Sequence, residues 1–315
     1  MFLRARVGAV LGALAILAAA CGGSDGSALT LYTSVTQATV DAVVVGFEER
    51  NPGASVDVFR APTGEVTARI EAERRNGTLR ADVIWLSDPL SMYQYRSDGL
   101  LVEWEPVAAD SLPPEVRAAS FWGTRLLHLV IVARAGNPSG LQTWSDLADP
   151  VISVAYPDPL FAGSAFAALG YFGLEFFDDL RATGAVQVPS PGEVVTAVAE
   201  GRSDAGITLE FSARAAAGKG SPVEAVWPGP AAIAVTSPIA VFDTADRIDE
   251  AREFVEHVLS REGQEAIGAS GWCPVLEGVG GPGLPPGAEV VYPDWAAIFA
   301  GQGDLVTGYE ELIDG

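Results

Sequence analysis

Two short segments, Thr63-Gly64 and Gly163-Ser164, stand where a strand-like pattern gives way to a helix-like one. At such a junction the first N–H groups of the helix have no carbonyl partner within it, and the helix dipole adds positive potential. A hydroxyl beside them completes a donor set suited to a phosphate or phosphonate group. Ser34 and Thr36, at the end of the first predicted strand, add two more hydroxyls. Three carboxylates, Glu65, Asp88 and Glu210, fall at similar strand-end positions. Ionised carboxylates only accept hydrogen bonds, so they suit a cationic or hydroxylated end of the same ligand. Each group also has a plainer role: Asp88 as a helix cap, Glu65 as a first-turn acid, Gly163 and Ser164 as capping residues. Trp85, at another strand end, is expected in the core.

Covalent chemistry has a weaker basis. Ser164 in FAGSAF would need a histidine base. His128 is the histidine placed to try, and the flanking glycines of G-x-S-x-G are missing. The second histidine, His257, falls between the apolar positions of a helix and is expected at the surface. Cys273, in GWCPV, reads as a small interior thiol. The sequence contains no H-E-x-x-H, C-x-x-C or Walker loop, so neither a metal nor a cofactor is expected.

The elements that must position these residues begin after an N-terminal leader. Residues 1–20, MFLRARVGAVLGALAILAAA, pair Arg4 and Arg6 with an apolar stretch too short and Ala-rich for a membrane span. Cys21 and the tether GGSDGS follow, and the junction resembles a bacterial lipobox. Ala18 stands where that motif usually has Leu. Two readings result: a signal peptide at 1–20 with a lipidated Cys21 and a tether at 21–28, or an ordinary signal peptide cut nearby. Lipidation would give the multiple-chain anchoring that stable membrane attachment requires. It would also leave Cys273 without a disulfide partner.

Removing residues 1–20 takes two of the 19 basic residues and none of the 41 acidic ones, moving the net charge from −22 to −24. A surface of that sign excludes nucleic acid as a partner. What remains is long enough for two domains.

Strand and helix patterns alternate along it. Leu29–Ser34 is a strand, and Val40, Val43, Val44 and Phe47 mark one helical face. A second strand at Ser55–Phe59, a helix at Gly64–Asn76 and a buried strand at Asp82–Leu86 follow. The long apolar strand Leu127–Ala133 ends this first series. A helix start at Thr143–Asp146, a strand at Val151–Ala155, a helix at Ser164–Arg181, a capped helix from Ser190 and a strand at Asp204–Leu209 form the second. Ala231–Phe242 is another long apolar strand, and Ile248, Ala251, Phe254, Val255, Val258 and Leu259 share one helical face.

This order predicts an α/β fold with parallel sheets. The two long strands suggest a hinge joining two lobes. Lobe 1 takes 29–133, lobe 2 takes 134–232, and 233–315 supplies the crossing strand and the rest of lobe 1. A ligand would lie between them, outside the C-terminal strand ends.

The fragments LYTSVTQ, RAPTGEVTARIEAE, ADVIWLSDP, TWSDLADPVISVAYP, FAGSAFAAL, GEVVTAVAEGRSDAGITL and AREFVEHVLSREGQEAIGASGWCPV occur in that order. Their order and spacing resemble the bacterial extracellular solute-binding proteins related to ferric-ion-binding and 2-aminoethylphosphonate-binding receptors. The resemblance spans nearly all of the chain after the leader. It implies a type II periplasmic-binding-protein fold and an exported monomer with no catalytic activity. Its partners would be a small-molecule ligand and an ABC permease in the membrane. Ferric relatives tend to carry a His, a Glu and two adjacent tyrosines at positions matching Thr36, Glu65 and Phe211-Ser212 here; the glutamate alone is retained. The implied ligand is therefore a phosphonate or phosphorylated compound, with a metal ion, a polyamine or thiamine as alternatives. A serine hydrolase using Ser164 and a purely structural envelope lipoprotein are the readings from other classes.

Overall fold

The structure, a computed structural model, describes residues 28–301 and 305–314. The expected signal segment, Cys21 and most of the tether lie outside the described residues. β1 (Leu29–Thr33) leads into α1 (Gln37–Arg50), whose Val40, Val43 and Phe47 are buried at the predicted spacing. β2 (Val56–Arg60), α2 (Thr63–Arg75), β3 (Val83–Trp85) and α3 (Leu90–Ser97) follow. β1 lies between β2 and β3 and is parallel to both. Parallel neighbours need a crossover, and α1 and α2 supply it.

β4 (Trp122–Arg134) then runs for 13 residues. β5 (Val154–Pro157), α4 (Gly163–Ala182), β6 (Val186–Val188), α5 (Pro191–Ala199) and β7 (Ala205–Leu209) repeat the first pattern. β5 lies between β6 and β7, again parallel to both. α6 (Glu210–Gly218), β8 (Val223–Val226) and β9 (Ala232–Val241) come next. The chain closes with α7 (Ile248–Leu259), α8 (Arg261–Ala269), β10 (Cys273–Pro274), β11 (Val290–Val291), α9 (Trp295–Gly301) and α10 (Leu305–Asp314).

The strand order is β2-β1-β3-β9-β4-β7-β5-β6. β9 enters the first lobe beside β3, antiparallel, and β4 enters the second beside β7, also antiparallel. β4 and β9 pair with each other from Trp122 to Leu129, so the same two strands serve both lobes. Strands flanked on both sides and covered on both faces read as continuous apolar runs rather than alternating ones. Every residue of β9 is buried accordingly. In each lobe the parallel strands point their C-terminal ends toward the other lobe, which places the loops after β1, β3, β5 and β7 around one cleft.

Local signals account for several helix starts. Ser190 accepts the Glu193 N–H at 3.3 Å and caps α5, with Pro191 in the first turn. Asp146 accepts the N–H groups of Gln142 and Thr143 at 2.7 and 2.8 Å, but the turn it starts is a short 3-10 helix, Trp144–Ala148. β5 begins three residues after the expected Val151. α4 is interrupted at Gly173, whose φ of 78° only glycine adopts without strain. His257 corrects an expectation: it is buried, not at the surface. α1 packs across α7, so the ring meets the Val43 carbonyl at 3.1 Å and the Phe47 ring at 5.8 Å. The C-terminal helices touch both lobes. Phe299 of α9 stacks on Tyr93 of α3, while Tyr309 of α10 donates to Gln187 Oε1 at 2.8 Å.

Candidate functional site

The cleft between the lobes holds a cavity of ≈ 400 Å³. The first lobe supplies Ser34 and Thr36 after β1, Arg60 and Thr63 between β2 and α2, and Ser87 after β3. The second supplies Gly163 and Ser164 at the start of α4, Ser190 at the start of α5 and Ser212 in α6. Arg125 enters from the connecting strand β4, and Trp272 closes one wall.

The hydroxyls form a preset chain. Thr63 Oγ1 donates to Ser34 Oγ at 2.9 Å, and Ser34 Oγ donates in turn to Ser87 Oγ at 3.1 Å. The Ser87 N–H donates to the same Ser34 oxygen at 3.0 Å. Trp272 Nε1 donates to Thr36 Oγ1 at 3.2 Å. On the facing wall, Ala165 and Phe166 both donate to the Ala162 carbonyl. The N–H groups of Gly163 and Ser164, at the first two positions of α4, have no acceptor inside the helix.

Arg125 is the feature that gives the cleft its sign. It is 1% exposed, and its Nε and Nη1 have no hydrogen-bond partner among the described residues. Its guanidinium carbon lies 4.2 Å over the Trp272 ring. Burial, and then the charge of Arg60, push its pKa down to about 9. Arg60 is anchored by its Nε–H on the Val35 carbonyl at 2.6 Å. Among the described residues, no Asp or Glu lines the cavity. A buried guanidinium without an acid partner is costly unless an anion arrives to pair with it.

Of the residues read from sequence as ligand-binding, Ser34, Thr36, Thr63, Gly163 and Ser164 line this cavity. Gly64 does not, because its N–H donates across the cleft to the Phe161 carbonyl at 3.1 Å. None of the three carboxylates lines it either, although Asp88 Oδ2 abuts Gly163 from the first lobe, 3.0 Å from where a Cβ there would stand. Asp88 is fully buried and accepts the Ser91 N–H at 2.8 Å, capping α3; burial raises its pKa to about 6. Glu65 is exposed on the first turn of α2. Glu210 accepts from Arg214 Nε at 2.5 Å, and Arg214 Nη2 also donates to the Gly271 carbonyl at 2.6 Å. Trp85 is fully buried and donates to Thr124 Oγ1 at 2.8 Å. His128 packs against Trp227 and lies 3.8 Å from Cys273 Sγ, and burial lowers its pKa to about 4. It does not line the cleft that holds Ser164. Burial raises the Cys273 thiol to about 11, which keeps it a protonated, unreactive group.

Sequence reading missed Arg60, Arg125, Ser87, Ser190, Ser212 and Trp272 as cleft residues. A signal existed for Arg125. It interrupts the apolar run of β4, where a charged side chain has no reason to sit unless something pairs with it.

A two-lobe α/β fold with a polar cleft, joined by two shared strands, defines a receptor that holds a solute between its lobes. The family model described as bacterial extracellular solute-binding protein matches residues 29–273, and the chain belongs to that family. It is 24% identical over 305 residues to the sulfate-binding protein of Synechococcus elongatus, covering 85% of this chain and 81% of that one. Among solved structures it resembles the periplasmic binding protein AfuA of Actinobacillus pleuropneumoniae, determined with fructose-6-phosphate bound. The TM-score is 0.80 at 19% identity, over 91% of this chain and 98% of that one. It also resembles iron-bound HitA of Pseudomonas aeruginosa, with a TM-score of 0.76 at 21% identity, over 90% of this chain and 99% of that one. Proteins of this type are extracytoplasmic and deliver small ligands to ABC permeases; the matching family and both of these structures are binding proteins.

Proposed function

We propose that this solute-binding protein captures a small ligand bearing a phosphoryl or phosphonate group and presents it to its permease. The unpaired, buried Arg125 carries the reading. Gly163, Ser164, Thr36 and Ser212 line the same cavity, and their N–H and hydroxyl groups are the kinds of donor an oxyanion takes. The sulfate-binding relative and the neighbour determined with fructose-6-phosphate are both named for oxyanion ligands. The metal alternative has less to rest on: no cluster of three His, Cys, Asp or Glu able to hold an ion occurs among the described residues. The polyamine and thiamine alternatives need acids that the cleft lining lacks. A thermal-shift panel of phosphonates, phosphate esters, sulfate, spermidine, thiamine and ferric ion tests the reading. Phosphoryl compounds raise the melting temperature; a shift with spermidine or thiamine and none with any oxyanion overturns it.

Ligand capture proceeds by closure of the lobes about β4 and β9, and the exported protein acts as a monomer held to the membrane through lipidated Cys21. Cys21→Ser is expected to move the protein from the membrane to the soluble fraction. Fractionation and intact mass check this; unchanged membrane association with no lipid on the native chain would rule it out.

The net charge of −24 without the leader has a kinetic consequence. An anion approaches against the field of the whole molecule, although Arg60 and Arg125 attract it once inside. Screening therefore speeds capture. Raising ionic strength from about 0.01 M to 0.15 M shortens the Debye length from roughly 30 Å to 8 Å and is expected to raise the association rate about two- to fivefold. Stopped-flow tryptophan fluorescence, with Trp272 in the cleft wall as reporter, measures it.

A further inference from the structure

The cleft is larger than an oxyanion and has charge of one sign only. Its ≈ 400 Å³ falls in the roughly 300–1,000 Å³ range of sites for organic ligands. Beyond Arg125 its walls turn apolar: Leu127 of β4, Leu209 of β7, Phe161 before α4, and Pro189 and Pro191 around the start of α5. Arg60 and Arg125 are its charged side chains, and both are cations. The acids nearest in sequence to the cleft loops are engaged or outside it: Asp88 on Ser91, Glu210 on Arg214, and Glu65 exposed on α2.

An ammonium group in this cavity would meet two guanidiniums and, among the described lining residues, no carboxylate; the Asp88 carboxylate sits behind the Gly163 backbone and is already held by Ser91. The ammonium would lose its hydration without gaining a charged partner, which is the most unfavourable way to bury a charge. An uncharged carbon body at the same place loses nothing and gains contact with the apolar walls. We infer that the ligand is an organic phosphonate or phosphate monoester whose body carries no cationic group, and that the site selects against zwitterionic aminophosphonates. This rests on the oxyanion reading above and narrows it. It also departs from the amine-bearing ligand that the family resemblance alone would suggest.

The test is a calorimetric comparison of three probes: inorganic phosphate, propylphosphonate and 2-aminoethylphosphonate. The last two have the same number of non-hydrogen atoms and differ by CH₃ against NH₃⁺. Propylphosphonate is expected to bind at least tenfold more tightly than 2-aminoethylphosphonate. It should also bind at least tenfold more tightly than phosphate, because three carbons are buried with it. Ser190→Asp places a carboxylate in the cleft lining while keeping a residue that caps α5 as well as serine does. That variant is expected to narrow the discrimination at least threefold by gaining affinity for the amine. If 2-aminoethylphosphonate binds the native protein as tightly as propylphosphonate, the exclusion of cations is wrong while the oxyanion site stands. If phosphate matches propylphosphonate, the organic body has no subsite. If none of the three binds and the panel above also finds no oxyanion, the oxyanion reading itself fails and this inference falls with it.

Discussion

Replacing Arg125 with methionine is expected to weaken ligand binding at least a hundredfold and at the same time to raise the melting temperature of the unliganded protein. The two effects have one cause. The guanidinium is almost fully buried, and among the described residues two of its nitrogens lack acceptors and no carboxylate lines the cavity it faces. Its pKa in the fold, about 9, lies well below the ordinary arginine range, and burial is the main reason. A cation with a lowered pKa binds its proton less tightly folded than unfolded. The cost to the fold is therefore fully present below pH 9 and is relieved only as pH rises above about 9. At pH 7 methionine removes it while keeping an unbranched chain against Trp272. The loss of the contact with the Trp272 ring, worth up to about 2 kcal/mol, offsets part of the gain. A net gain near 1 kcal/mol would raise the melting temperature by about 2–4 °C in a domain of this size class.

Binding moves the other way. Two charge-assisted hydrogen bonds at about 1.5–3 kcal/mol each correspond to roughly a hundred- to ten-thousand-fold loss of affinity. Calorimetry with the best oxyanion of the panel and scanning calorimetry without it give the two numbers. A residue that merely held the fold would lower both when replaced. A stabilised variant that still binds normally would show that the anion pairs elsewhere.

Gly163→Ala is expected to weaken binding by about five- to hundred-fold while leaving the unliganded protein as stable as before. A Cβ at Gly163 would lie 2.5 Å from Thr63 Oγ1 and 3.0 Å from Asp88 Oδ2. Both atoms belong to the opposite lobe, so the clash falls on the closed arrangement and not within α4. Overpacking of this kind typically costs about 1–3 kcal/mol, which fits the loss given. Within α4 itself alanine is the better helix former. Gly64→Ala probes the same boundary from the other side, since its Cβ would lie 2.4 Å from the Leu160 carbonyl oxygen. Small-angle scattering with saturating ligand is expected to show both variants less compact than the native complex. Native affinity in both would mean that the lobes do not meet here when the ligand is held.

Much of this architecture was legible along the chain. The period-3.6 apolar faces of α1 and α7, the Ser190 cap and the parallel β-α-β order are each decided within about ten residues, by periodicity and by which side chain can reach a free N–H. The two shared strands announced themselves as apolar runs because they are flanked on both edges. The starts of α2 and α4 at the cleft followed from the same local rules, which is why Thr63, Gly163 and Ser164 could be named. One local signal went unread. Glu210 and Arg214 stand four apart on α6, a spacing that pairs them along the helix and withdraws the acid from any ligand.

What the chain alone did not decide is the charge inside the cleft. Arg60, Arg125 and Trp272 are 65 and 147 positions apart in succession, and nothing local says that β2, β4 and the turn after α8 meet. Strand order and register do that: β4 pairs with β9 through Trp122–Leu129, and Cys273 pairs with Leu126, setting Trp272 beside Arg125. His257 went inward for the same reason, since the packing of α1 across α7 determines which face is covered. A helix or strand start is settled by groups a few residues away. The sign and occupancy of a cavity are settled by which side chains distant segments turn toward one another, and that is fixed only when the sheets assemble.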